Sequence, residues 1–138
     1  MNYKGLVALE AQFAGKPFKV LAFPCNQFLD QEPHSNSVVE SFARGKGFKG
    51  PMFAKANVNG ACTSSSGCQP SSTECCPANS AVWGYLESVS GVPGNGKIPW
   101  NFEKYLCGKD GVPLQRLGAS DSPTKLATAI DKLLSPSA

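Results

Sequence analysis

The sequence predicts an α/β layered domain. Three observations carry that expectation. Apolar residues recur at helical spacing in four separate windows. Two short apolar runs, Phe18–Phe23 and Met52–Val58, lie between the first three windows and have the length of buried strands. Near the end, two alternating runs flank Asp110-Gly111, a pair that tolerates positive φ and closes hairpins. The resulting order is helix, strand, helix, strand, helix, strand, strand, helix, with the last two strands antiparallel.

Each element has a local reason. Leu6, Leu9 and Phe13 precede Gly15 and Pro17, predicting a helix from about Tyr3 to Ala14. The Phe18–Phe23 run stops at Pro24, which has no N–H to donate. Ser35 or Asn36 caps a second helix with Val38, Val39 and Phe42 on its inner side and Gly45 near its end. The second strand ends at Asn59-Gly60. Ala81, Val82, Tyr85, Leu86 and Val89 predict a third helix, stopped before Gly91, Pro93, Gly94 and Gly96. The hairpin runs Asn101–Cys107 and Val112–Leu117. Asp121 or Ser122 starts the last helix, with Pro123 in its first turn and Leu126, Ile130, Leu133 and Leu134 as its apolar stripe.

Composition narrows the function classes. The chain has 138 residues and reads as a single domain over 1–138. Its 41% hydrophobic and 17% charged content excludes a disordered charged tail. A net charge of +3, with basic residues scattered, gives no footprint for nucleic acid. No stretch is long and apolar enough for a membrane helix, and the first residues lack a signal-peptide core, so the default compartment is the cytoplasm. Thiols are then the default state of the six cysteines. Cys25 and Cys107 sit in strand-like runs. Cys62, Cys68, Cys75 and Cys76 fall in a Cys/Ser-rich loop insert at about 61–78. Their spacing matches no common zinc pattern, no CxxC is present, and the expected metal is none.

At Phe23-Pro24-Cys25-Asn26-Gln27-Phe28, followed by Gln31-Glu32-Pro33, the sequence resembles the glutathione peroxidase family. Asn2-Tyr3-Lys4-Gly5-Leu6, Val58-Asn59-Gly60, Trp100-Asn101-Phe102-Glu103-Lys104-Tyr105-Leu106 and Lys109-Asp110-Gly111-Val112 extend the likeness over most of the chain. The resemblance implies a thioredoxin-like fold: a mixed sheet with helices on both faces, its first strand missing here. It implies reduction of hydrogen peroxide or organic hydroperoxides, with glutathione or thioredoxin as partner and no bound cofactor, in response to oxidative stress. It also implies a tetrad around a selenocysteine or cysteine nucleophile, whose glutamine, tryptophan and asparagine are here Gln31, Trp100 and Asn101. The chemistry suits those residue types. Only the ionised chalcogen attacks a peroxide oxygen. Neutral amide and indole N–H donors stabilise such an anion without a fixed counter-charge.

The family's reactive residue lies a few positions before the Asn-Tyr that is here Asn2-Tyr3, upstream of Met1. The expectation is an N-terminally shortened chain, for instance one assigned from the methionine after a selenocysteine codon read as a stop. Phe42-Ala43-Arg44-Gly45 has no cysteine where many cysteine-type members carry a resolving thiol, which leans toward glutathione as reductant. Cys25 reads as packing rather than as a substitute nucleophile. His34 reads as solvent-exposed, and Arg44, Lys46 and Lys49 as a solvated basic surface. The short Gly91–Ile98 connection points to a monomer. Two readings from other classes stand beside the enzyme: a catalytically inactive thioredoxin-like binding or regulatory module, and a sensor built on the cysteine-rich insert.

Overall fold

The computed structural model describes residues 1–60 and 77–136. Helix α1 spans Asn2–Gln12 and α2 spans Asn36–Gly45. Helix α3 spans Ala81–Ser88. Strands β1, Lys104–Cys107, and β2, Pro113–Leu117, pair antiparallel, with an irregularity after Leu106. A 3₁₀ turn at Pro123–Leu126 leads into α4, Ala127–Leu134. Ser35 caps α2 by accepting the Val38 N–H, and Ser80 caps α3 by accepting that of Trp83. Proline at the entry of the last helix, with no N–H to leave unpaired, fits its place there.

The predicted first two strands are corrected. The two runs meet at a single parallel bridge, Ala22 with Met52, and the expected burial is not found: no residue of Phe18–Phe23 is buried, and Leu21 and Phe53 are exposed. Ala22 N–H donates to the Pro51 carbonyl at 3.0 Å and Phe53 N–H to the Ala22 carbonyl at 2.9 Å. The next rung would need a donor on Pro24 in one direction and on Pro51 in the other, and neither proline has one, so the bridge stands alone. A second isolated parallel bridge joins Asn57 to Asn79. Among the described residues the sheet is therefore two-stranded and antiparallel rather than mixed. The insert at 61–78, apart from its last two residues, lies outside the described residues, as do Cys62, Cys68, Cys75 and Cys76.

The hairpin divides the core. Successive strand residues face opposite ways. Leu106 joins Leu9 and Phe13 of the α1 end, with Leu126 and Ile130, in one buried cluster. Tyr105 packs on the other side, against a cluster of Phe28, Val58 and Ile98 that also receives Trp83 of α3. Helices thus cover both faces of the hairpin. Two helical faces differ from expectation. In α2 the buried residues are Val39 and Ala43, while Val38 and Phe42 are exposed. In α3 the buried residue is Leu86, while Val82 and Tyr85 are exposed. Leu133 of α4 is exposed as well.

Helix α1 docks on the 3₁₀ turn through Gly5, which is buried. A Cβ there would stand 2.6 Å from the Pro123 Cδ. Helix propensity alone favours Gly5→Ala by about 1 kcal/mol. The contact reverses that sign: Gly5→Ala is expected to destabilise the fold by roughly 1–3 kcal/mol through overpacking. Urea unfolding midpoints measure it, and a gain in stability would refute this account of the α1 docking.

Candidate functional site

The predicted site residues sit on two loops that approach each other. The first is a tight turn, closed by the Gln31 N–H donating to the Phe28 carbonyl at 3.4 Å. Its central residues, Leu29 and Asp30, have φ of 55° and 49°. Left-handed backbone costs a non-glycine residue roughly 1–2 kcal/mol, so something must hold the turn. Asn26, only 4% exposed, does so from beneath. Its Oδ1 accepts the Glu32 N–H at 2.8 Å and its Nδ2 donates to Asp30 Oδ1 at 3.4 Å. Asn26 therefore braces the residues on both sides of Gln31.

A relay of amides connects this turn to the second loop. Gln27 Oε1 accepts the Val58 and Asn59 N–H groups at 2.6 and 2.9 Å, and its Nε2 donates to the Gly60 carbonyl at 3.0 Å. Asn59 in turn pairs with the backbone of Ile98, donating to its carbonyl at 2.6 Å and accepting its N–H at 3.2 Å. Ile98 stands two residues before Trp100. The loop then turns through Phe102, whose φ is 58°. Among the described residues, Leu29, Asp30 and Phe102 are the non-glycine residues with positive φ, and all three lie within two positions of Gln31 or Asn101. That left-handed turn also delays β1, which starts at Lys104 rather than at the predicted Asn101.

At the meeting point Asn101 Nδ2 donates to Gln31 Oε1 at 2.9 Å. The pair has four amide N–H bonds, of which one is used within it. The Trp100 ring lies 5.9 Å from that of Phe28, three residues before Gln31. Gln31 and Trp100 are exposed and Asn101 is half-buried. All three predicted residues are thus on adjoining loops, two of them in direct contact. Beside them opens a cleft of about 880 Å³, lined by Asn2, Tyr3 and Lys4 of α1, by Gln31 and Glu32, and by Val38 and Phe42 of α2 with Phe102. The exposed apolar residues of α2 are explained by this cleft, where Tyr3 meets Phe42 and Phe102 edge-on. Burial raises the Glu32 carboxyl above the usual carboxylate range, opposed by Lys55 and His34. Burial also raises the Tyr3 phenol, with Glu32 adding to the shift.

The other sequence candidates take structural places. His34 is exposed. Arg44 is engaged, donating to the Phe48 and Gly50 carbonyls at 3.1 and 2.7 Å and pairing with Glu40. No group of three His, Cys, Asp or Glu suited to a metal occurs among the described residues. Burial raises the Cys25 thiol, outweighing the lowering from the Gln27 and Val58 backbone hydrogen bonds and Lys55. Asn26, Gln27 and Asn59 carry the geometry without having been assigned a part. They stand inside the Cys25-Asn26-Gln27 and Val58-Asn59-Gly60 motifs, where polar residues next to buried apolar ones signal satisfied amides.

Comparison with known proteins bears on what this arrangement is. The family model described as glutathione peroxidase matches residues 1–65. Relatives include "Probable glutathione peroxidase 5" of Arabidopsis thaliana, 37% identical over 96% of this chain and 68% of its own length. "Probable phospholipid hydroperoxide glutathione peroxidase" of Mesembryanthemum crystallinum is 36% identical over 99% of this chain and 71% of its own length. The chloroplastic phospholipid hydroperoxide glutathione peroxidase 1 of Arabidopsis thaliana is 37% identical over 96% of this chain, which spans 50% of that relative. Against such relatives the chain covers about half the length. A crystal structure titled "Trgpx in apo form" superposes with a TM-score of 0.61 at 25% identity, over 96% of this chain and 70% of that one. The fold is thus of the thioredoxin-like α/β class. Within it, the chain belongs to the glutathione peroxidase family.

The state of Cys25 gives a direct check. A raised pKa leaves the thiol protonated at neutral pH, with the reactive thiolate appearing only as pH climbs past the ordinary thiol range. Iodoacetamide labelling of Cys25 at pH 7, read by peptide mass spectrometry, is expected to be slower than for an unhindered thiol. Rapid labelling at pH 7 would make Cys25 a nucleophile and overturn its structural assignment.

Proposed function

We propose that this chain is part of a thiol-dependent peroxidase that reduces hydrogen peroxide or organic hydroperoxides, with Gln31, Trp100 and Asn101 as its donor residues. The observation that carries the reading is the Asn101–Gln31 contact, formed across 70 residues of sequence in a chain of this family. On this reading the nucleophile is a selenocysteine or cysteine supplied by residues preceding Met1. Its anion attacks one peroxide oxygen, the O–O bond breaks, and the departing oxygen leaves as water or alcohol after taking a proton. The nucleophile is left as a selenenic or sulfenic acid, which two equivalents of glutathione return to the anion while forming their disulfide and water. Amide and indole N–H donors favour the anion before attack and steady charge on the departing oxygen during it.

The reading includes hydroperoxides larger than hydrogen peroxide. Relatives named for phospholipid hydroperoxides support that breadth. Relatives named chloroplastic and mitochondrial make an organelle as compatible with the reading as the cytoplasm. Among the described residues no helix is long and apolar enough to cross a membrane.

The test is peroxide turnover with glutathione, measured on this chain and on a chain carrying the upstream segment read from the transcript. Turnover is expected in the extended chain. There, Gln31→Ala or Asn101→Ala should lower kcat/KM by roughly 10²-fold, the size of a lost anion-stabilising donor. Absence of turnover in both chains would replace the enzyme by an inactive thioredoxin-like binding module.

A further inference from the structure

A single guanidinium holds both ends of the segment that carries Trp100 and Asn101. Arg116 lies on β2, opposite Tyr105 of β1. Its Nε donates to Glu103 Oε2 at 2.9 Å. Its Nη1 donates to the Gly96 carbonyl at 2.9 Å and to Asn95 Oδ1 at 3.4 Å, and its Nη2 to the Lys97 carbonyl at 3.2 Å. Its plane also lies over the Tyr105 ring, 5.5 Å from the centroid. The Arg116 and Glu103 side chains are 7% and 6% exposed. The carbonyls at 96 and 97 fix where the segment begins, and the carboxylate at 103 fixes where it ends. Between these anchors the backbone must pass through left-handed Phe102.

We propose that Arg116 is the positioning residue that sets Trp100 and Asn101 relative to Gln31. A buried ion pair is weak support for stability, because desolvation offsets much of its attraction. A rigid planar fork with five donors is well suited to fixing the distance between several acceptors. Lysine keeps the charge but offers donors around one nitrogen, so it cannot reach the carboxylate and both carbonyls at the same spacing. The inference deepens the proposed function, since Trp100 and Asn101 matter catalytically only on that reading, but its test needs no turnover.

The experiment compares ¹⁵N-labelled protein with its Arg116→Lys and Glu103→Leu variants by NMR. Expected in Arg116→Lys is loss of the nuclear Overhauser contact between the Asn101 and Gln31 side-chain amides, with Asn101 amide exchange faster by about tenfold. The Leu9 and Ile130 methyl resonances, in the cluster on the far face of the hairpin, should stay in place. Retention of the amide contact in a folded variant would overturn the proposal. So would equal disturbance of loop and methyl signals, which marks general destabilisation. If Arg116→Lys does not fold, Glu103→Leu, which removes the acceptor that a glutamine would keep, is judged by the same two readings. A failure of peroxide turnover would strike the proposed function and leave this result standing.

Discussion

An amide–amide hydrogen bond between Asn101 and Gln31 is the contact toward which the other polar interactions near the site are arranged. Neither residue belongs to a regular element, and among the described residues no continuous strand links their loops. The bond is exposed, and water offers both amides equivalent partners, so it adds little by itself. It forms because each loop has already been held in the matching conformation. The entropy of ordering is met before the two amides come together.

The holding is done by buried side chains that replace absent secondary structure. Asn26 takes the backbone and carboxylate groups flanking Gln31, and Gln27 and Asn59 carry the connection across to Ile98. Each accepts or donates where a strand neighbour would otherwise sit, which satisfies buried groups at about 1 kcal/mol net per bond. Lys104 adds a tie to α1, donating to Asn2 Oδ1 at 2.6 Å and to the Gly118 and Asp121 carbonyls at 2.9 Å. Desolvation lowers the Lys104 pKa, opposed by Glu103 and Asp121. The left-handed residues beside Gln31 and Asn101 show where this support is spent.

Much of the fold was legible in the residues. The four helices and the terminal hairpin follow from periodicity, caps and the Asp110-Gly111 turn, and Gly111 does adopt φ of 80°. The Phe18–Phe23 and Met52–Val58 runs were misread as strands, because apolar composition reports neither pairing nor burial: Leu21 and Phe53 are exposed. The positions of Pro24 and Pro51 in the rung pattern stop the ladder on its two sides. The outward faces of α2 and α3 escaped for a related reason: Phe42 and Val38 line a cleft, and apolar periodicity reads a cleft wall as core. Gln31, Trp100 and Asn101 were found through a resemblance. The residues that hold them, Asn26, Gln27, Asn59, Glu103 and Arg116, act through three-dimensional contacts with no sequence spacing of their own.

The convergence of the two loops is tested most directly by a double-mutant cycle in urea unfolding, using Gln31→Ala, Asn101→Ala and the double variant. The account predicts a favourable coupling of about 0.5–1.5 kcal/mol between the two side chains. Additivity within about 0.3 kcal/mol would mean that the amides do not meet in solution, and would contradict the site described.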